Sequence, residues 1–392
     1  MTTPIYLDFQ ATTPVDPRVL AEMLPWFAER WGNPHATDHR FGRDAAQAIQ
    51  IARQQVATLI GADPREIIFS SGATESNNFL LQGASAVMAA AGRSRVITCA
   101  TEHKAVLEVV AQLAIKGHPV TMLDVPASGI IDPVDIARHM GSDVGLVSIM
   151  AINNEIGVEQ PITAIGALCR EHGALFHTDA AQAVGKIPID VVEANIDLLS
   201  LSAHKFYGPQ GIGAAYIRRA IKPNFPPRAV GGGQEGGLRS GTLPTALCVG
   251  LGSAAQIAQE EMVREREQLT RFRDRFLALL DDARMAYVIN GELARRWPGN
   301  LNLSFDAVDA EALLMSVGEV LALSSGSACT AQSLEPSHVI TAIVDDPDRA
   351  ENAVRIGFGR STSAEEIDRA AAILISAVQR LRQLSHSAAE GV

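Results

Sequence analysis

The residues of this chain best suited to chemistry follow short apolar runs. Ile67-Ile68-Phe69-Ser70 leads into Ser71-Gly72-Ala73-Thr74-Glu75-Ser76-Asn77, and Val96-Ile97-Thr98-Cys99 into Thr101-Glu102-His103. Val147-Ser148-Ile149-Met150 leads into Asn153-Asn154-Glu155, and Leu175-Phe176-His177-Thr178 into Asp179 and then Gln182. Leu198-Leu199-Ser200-Leu201 leads into Ser202, His204 and Lys205. Small residues entering a helix at Gly72-Ala73-Thr74 offer backbone N–H groups and the helix dipole to a phosphate. Ser202 and His204 can add donors to the same phosphate. A carboxylate such as Asp179 keeps a pyridine nitrogen protonated, which makes that ring an electron sink. Gln182, three residues on, can donate to a ring hydroxyl. Lys205 is the only lysine in this set, and burial beside a cationic ring yields the neutral amine that forms a Schiff base. Together these groups suit pyridoxal phosphate carried on Lys205.

Taken singly, each residue has a plainer reading. Ser-Gly-Ala-Thr is a common helix start, Asp179 suits an N-cap, Lys205 a solvated surface, and His103 a satisfied core position. Lys205, however, precedes Phe206-Tyr207-Gly208-Pro209, an aromatic turn poorly suited to full exposure. Five independent structural explanations are also less economical than one site, because ligands of open parallel sheets bind outside the carboxyl ends of the strands.

The elements that would position these groups alternate in type. Strands are expected over 66–70, 95–99, 144–150, 174–178, 197–201 and 213–217, with helices such as 105–116 and 162–172 between them. That order implies βαβ units and an α/β fold with a mostly parallel sheet covered on both faces. Gly and Pro cluster over 223–244 as a long loop region, and an amphipathic helix is expected over 260–280. Beyond it, 300–305 and 353–358 alternate apolar and polar residues, and Ser363-Ala364-Glu365-Glu366 is a capping box. The expected division is a large cofactor-binding domain over 16–259 and a smaller α+β domain from 1–15 and 260–392.

Four cysteines occur in the 392 residues. Cys99, Cys169 and Cys248 sit in regular apolar segments, where cysteine behaves as a small hydrophobe. Cys329 lies in Ser324-Ser325-Gly326-Ser327-Ala328-Cys329-Thr330, a small, polar stretch that reads as a loop and suits an exposed nucleophile. No spacing suggests a disulfide framework or a resident metal. The net charge of −11, with 47% apolar and 20% charged residues interleaved, describes an ordinary globular protein without a basic stripe for nucleic acid. Neither a secretory leader nor a run of transmembrane length is evident, which leads to the expectation of a cytoplasmic protein that docks on no membrane.

Tyr6-Leu7-Asp8, Ala11-Thr12-Thr13-Pro14, Gly32-Asn33-Pro34, Ser71-Gly72-Ala73-Thr74-Glu75-Ser76-Asn77, Thr101-Glu102-His103, Asn153-Asn154-Glu155-Ile156-Gly157, Ser202-Ala203-His204-Lys205, Arg239-Ser240-Gly241-Thr242 and Ser324-Ser325-Gly326-Ser327-Ala328-Cys329-Thr330 extend the pattern. In this order the chain resembles cysteine desulfurases of the IscS/NifS type, within the class-V aminotransferases. The resemblance implies the fold-type-I architecture of pyridoxal-phosphate transferases and a homodimer. It implies that Lys205 binds the cofactor, that Ala73, Thr74, Asn154, Gln182, Ser202, Ala203 and His204 contact it, and that Thr242 reaches the phosphate of the neighbouring subunit. Asp179 pairs with the ring nitrogen, His103 stacks on the ring as acid/base, and Asn33 and Arg355 lie near the substrate carboxylate. Cys329 becomes the persulfide-forming nucleophile that takes sulfur from L-cysteine, leaving L-alanine, and can transiently ligate an iron–sulfur cluster beside a scaffold partner. The acceptor is an iron–sulfur scaffold or a tRNA-thiolation protein. Ala203 and Gln210 replace Gly and Lys of many relatives, and the chain stops at Val392, where a longer scaffold-docking extension is expected in housekeeping members. A selenocysteine lyase, a related lyase or aminotransferase, and a non-catalytic sulfur-trafficking platform are the competing readings.

Overall fold

Apolar runs four or five residues long, rich in Val, Ile and Leu, become fully buried strands when both faces of a sheet are covered. In the computed structural model, which describes residues 4–325 and 336–390, six buried strands and one partly exposed edge strand form the central sheet. After β1 (Ile5–Tyr6) they are β2 (Ile67–Ser70), β3 (Arg95–Cys99), β4 (Val120–Leu123), β5 (Val144–Ser148), β6 (Leu175–Asp179), β7 (Leu198–Ser202) and β8 (Gly213–Ile217). Their spatial order is β2-β8-β7-β6-β5-β3-β4. All neighbouring pairs are parallel except those of β8, which runs against both β7 and β2. The carboxyl ends of β2, β3, β5, β6 and β7 therefore share one edge, joined there by the start of β8. The edge strand β4 was not expected from the sequence. It is short and partly exposed, so its pattern lacks the continuous apolar signature of its neighbours.

Alternation along β7 assigns the two faces. Leu198 joins a core with Phe79, Leu80, Val106 and Val110 from the helices Ala73–Ala90 and Lys104–Ile115. Leu199 and Leu201 join the opposite core with Phe69, Ile165 and Ala255, where the helices Arg40–Leu59, Ile162–His172 and Thr245–Asp282 contribute. Each fully buried side chain of this kind stabilises the fold by about 1.5–3 kcal/mol.

The helix expected over 260–280 begins earlier, at Thr245, and runs to Asp282 as 38 residues, about 57 Å at 1.5 Å per residue. Its first half is rich in Ala and Gly and packs against the helix Arg40–Leu59. That close approach replaces the amphipathic signal visible farther on. Gly252 shows the approach directly, since a Cβ there would lie 2.5 Å from the Ala52 Cα. The helix also packs on the final helix, Ala364–Glu390, which opens on the expected capping box. There Ser363 N donates to Glu366 Oε2 at 2.8 Å and Glu366 N to Ser363 Oγ at 3.2 Å.

The remaining strands are β9 (Tyr287–Ile289), β10 (Asn300–Phe305), β11 (Leu321–Ala322) and β12 (Ala353–Gly357). Three of them form an antiparallel sheet in the order β12-β10-β9. The N-terminal strand β1 pairs with β11 in parallel, and bridges join Asp8 to Gly357 and Ser324 to Arg355. Residues far apart in the chain thus meet beside the carboxyl edge of the large sheet. No helix among the described residues is long and apolar enough to cross a membrane.

Candidate active site

A cavity of about 480 Å³ opens at that edge. Ten of the residues expected at the site line it: Ala73, Thr74, His103, Asn154, Asp179, Gln182, Ser202, His204, Lys205 and Arg355. Ala203 does not; it is fully buried behind the turn, where its N donates to Ile212 O at 3.1 Å. Asn33 and Thr242 are exposed and do not line the cavity either. Cys329 lies outside the described residues.

One end of the cavity is an anion cradle. The helix Ala73–Ala90 starts at Gly72, whose φ of 149° disfavours any side chain, and no side chain caps its first turn. The backbone passes tightly, since a Cβ on Gly213 would stand 2.7 Å from the Gly72 Cα. Ser202 and His204 complete the rim. His204 binds Thr12 Oγ1 through Nδ1 at 3.1 Å, and burial, with help from Lys205 and Lys186, pushes its pKa down to about 4. It is therefore a neutral polar group at physiological pH.

The inner end is a buried carboxylate. Asp179 Oδ2 accepts from Asn77 Nδ2 at 2.6 Å, and Oδ1 from Ala181 N at 2.9 Å. Asn77 is in turn fixed by Ser200 Oγ at 2.5 Å. Among the described residues no helix directly follows Asp179, so it is not the N-cap that a lone Asp suggests; its bond from Ala181 N closes a turn and orients the carboxylate. Behind it stands a residue of the Thr101-Glu102-His103 run to which the sequence assigned no role. Glu102 is fully buried, and burial first, then the Asp179 charge, pushes its carboxyl well above the usual range. Its Oε1 accepts from Met150 N. Only the approach of β3 to β5 reveals this, and no local pattern announces it.

His103 is the N-cap of the helix Lys104–Ile115, with Nδ1 accepting from Ala105 N at 3.0 Å. A neutral ring held this way carries its proton on Nε2, so Nε2 is the atom able to exchange one. Lys205 closes the 3-10 turn after β7, and its Nζ donates to Gln10 O and Ala11 O, each at 2.8 Å. Gln10 and Ala11 also line the cavity, so the N-terminal segment forms part of it. Lys205 is not the only lysine nearby: buried Lys186 donates from Nζ to Gln182 Oε1 at 2.6 Å.

Arg355, on β12, reaches in from the smaller sheet. Nη1 donates to Asn154 O at 3.0 Å, and Nη2 to Asp8 Oδ1 at 2.9 Å and Ser324 Oγ at 3.2 Å. Among the described residues, its Nε and the Asn154 Oδ1 are buried without a partner. Unpaired buried polar atoms are costly, and both belong to residues that line the cavity. The arrangement of uncapped helix start, buried carboxylate and lysine amine fits a phosphorylated pyridine aldehyde, and the cavity volume is that of a small-molecule site.

Comparison with known proteins agrees with this geometry. Residues 5–370 match the family model described as aminotransferase class-V. A human protein named cysteine desulfurase is 50% identical over 382 residues, covering 97% of this chain and 83% of that one. The cysteine desulfurase IscS of Methylococcus capsulatus is 49% identical over 385 residues, covering 98% and 95%. Among solved structures, a NifS-like protein superposes with a TM-score of 0.88 at 34% identity, covering 97% of this chain and 100% of its own. SspA, solved in complex with cysteine, gives a TM-score of 0.80 at 38% identity, covering 91% and 99%. The fold is that of the fold-type-I transferases, and the chain belongs to the class-V aminotransferase family, within it to the cysteine desulfurases of the IscS/NifS type.

Proposed function

We propose that the enzyme carries pyridoxal phosphate on Lys205, converts L-cysteine to L-alanine, and stores the sulfur on Cys329 as a persulfide before passing it on. The observation that carries this reading is the meeting of Lys205, Asp179, the uncapped helix start at Gly72 and the neutral Nδ1-anchored His103 in one cavity. When bound, the cofactor supplies an electron sink conjugated to the substrate Cα. Asp179, a carboxylate held by two donors, would face the ring nitrogen, and Gln182 would offer an N–H to the ring hydroxyl. Arg355, whose side chain lines the cavity, receives the substrate carboxylate. Lys205 Nζ exchanges the Cα proton, and His103 Nε2 is placed to trade a proton with the substrate thiol or the departing carbon.

The Cys329 thiolate then attacks the substrate sulfur. An S–S bond forms, the C–S bond breaks, and its electron pair stays on the substrate Cβ, which takes a proton and becomes the alanine methyl. The net change is enzyme thiol plus cysteine to enzyme persulfide plus alanine; carbon is reduced and sulfur oxidised in equal measure. The residues flanking the segment that carries Cys329 are tied to the site, which supports this assignment. Ser324 accepts from Arg355, and His338 Nε2 lies 3.0 Å from Glu102 O.

The reading includes a homodimer. Leu24, Phe27, Trp31 and Phe41 are half or more exposed, an apolar surface of the kind that a second subunit covers. In such a dimer the exposed Thr242 belongs to the neighbour's phosphate site and Asn33 lies near the substrate. The division into 16–259 against 1–15 with 260–392, and transfer of the persulfide in the cytoplasm to an iron–sulfur scaffold or tRNA-thiolation protein, complete the proposal. Incubation with sulfur-labelled cysteine tests it. Mass spectrometry of the Cys329 peptide is expected to show one added sulfur, with alanine as the product. Cys329→Ala is expected to keep the visible cofactor absorbance and lose both. Keto-acid release, or undiminished alanine formation by that variant, refutes the assignment.

A further inference from the structure

Lys186 is a buried amine with no part in the steps above. It is 6% exposed and stands four residues after Gln182 on the turn that follows β6. Gly185 lets this turn press against the Lys205 segment: its φ is 77°, and a Cβ would meet Phe206 Cβ at 2.9 Å. The charged groups acting on Lys186 are Lys205, Arg355 and Glu265. Burial first, then Lys205, lowers its pKa to about 7, while Glu265 raises it and Arg355 lowers it further. In both protonation states the amine retains N–H groups, so its bond to Gln182 Oε1 survives across that range.

A glutamine amide is nearly symmetric in shape but not in chemistry, because a flip exchanges a donor for an acceptor. Here Gln182 Oε1 faces the Lys186 amine at 2.6 Å, and Nε2 donates to Gln10 O at 2.9 Å. Gln10 O is also the acceptor for Lys205 Nζ at 2.8 Å. A flipped amide would set its carbonyl oxygen against the Gln10 carbonyl oxygen and, where Lys186 is charged, its NH2 against an ammonium.

We propose that Lys186 is a positioning residue: by occupying the Gln182 carbonyl oxygen it compels the amide to present only its NH2 side to the cavity, and so holds a hydrogen-bond donor against the ring hydroxyl of the cofactor. The inference rests on the reading of the site as a pyridoxal-phosphate site and adds the device that sets the polarity of one wall. A donor there stabilises the anionic ring oxygen and lowers the pH at which the bound cofactor loses its proton. Removing the device raises that pH.

The test is a pH titration of the visible absorbance of the pyridoxal-phosphate-loaded protein. Lys186→Met is expected to raise the midpoint by about one unit, the size of one hydrogen bond to a charged group. Gln182→Met is expected to raise it similarly, and the double variant to stay within about 0.3 unit of Gln182→Met alone, because the two residues act as one unit. An unchanged midpoint in Lys186→Met, or shifts that simply add in the double variant, overturns the inference; additive shifts mean that the charge acts on the cofactor without the amide. Should Lys186→Met not fold, Lys186→Gln, a shorter neutral donor, is read instead, and a midpoint raised as far as in Gln182→Met overturns the proposal. A wild-type protein that takes up no colour from pyridoxal phosphate refutes the underlying reading, whereas a coloured wild type with an unmoved Lys186→Met refutes only this step.

Discussion

Replacing Arg355 by Lys isolates geometry from charge at the proposed carboxylate site. The guanidinium spans three partners at once, with Nη1 on Asn154 O at 3.0 Å and Nη2 on Asp8 Oδ1 at 2.9 Å and Ser324 Oγ at 3.2 Å. A lysine ammonium concentrates its donors on one atom. It can reach Asp8 or the substrate, but it cannot hold Asn154 O and Asp8 while also receiving a carboxylate. Two charge-assisted hydrogen bonds are worth about 1.5–3 kcal/mol each, and the retained positive charge recovers part of that. A net loss of about 2–3 kcal/mol corresponds to a fall of about 30- to 150-fold in kcat/KM. Because the carboxylate takes no part in bond breaking, most of the loss is expected in KM. The assay is the initial rate of alanine formation over a range of cysteine concentrations, with visible absorbance confirming cofactor occupancy. A variant with full occupancy and a KM within about twofold of wild type refutes the assignment of Arg355 to the carboxylate.

Two further outcomes follow from the same geometry. Lys205→Ala is expected to lose the covalently held chromophore, so that borohydride reduction no longer fixes cofactor to the chain; retention of a reducible linkage removes Lys205 from its role. His177 is fully buried, and burial depresses its pKa from 6.5 to about 4. A depressed histidine favours folding above its unfolded value, and that contribution is lost as pH falls from about 6.5 toward 4, where the unfolded chain binds a proton that the folded chain excludes. The loss amounts to about 3 kcal/mol at 1.36 kcal/mol per unit. Denaturant melts from pH 7 to pH 4 are expected to show a shallower acid limb in His177→Gln; an identical slope in both proteins places the acid sensitivity elsewhere.

The local order of residues was enough to identify which chemical groups gather at the sheet edge. Near-continuous apolar runs alternating with helices imply buried, mostly parallel strands with their polar ends on one side, so the gathering of Thr74, His103, Asn154, Asp179 and Lys205 was legible in the sequence. The capping box at Ser363 and the helix over Ile162–His172 were legible for the same reason, since caps and period lie within a few residues of each other. Packing between distant segments decided the rest. Gln10 enters the site from 172 residues before Gln182 and 195 before Lys205, and Asp8 meets Arg355 across 347 residues. Such approaches leave no periodic trace. The same holds for the upward shift of the Glu102 carboxyl, for the Lys186 amine on Gln182, and for the withdrawal of Ala203 behind its turn. Burial and partner geometry are properties of the assembled core, and in this protein they determine which of the predicted groups carry charge and which way they face.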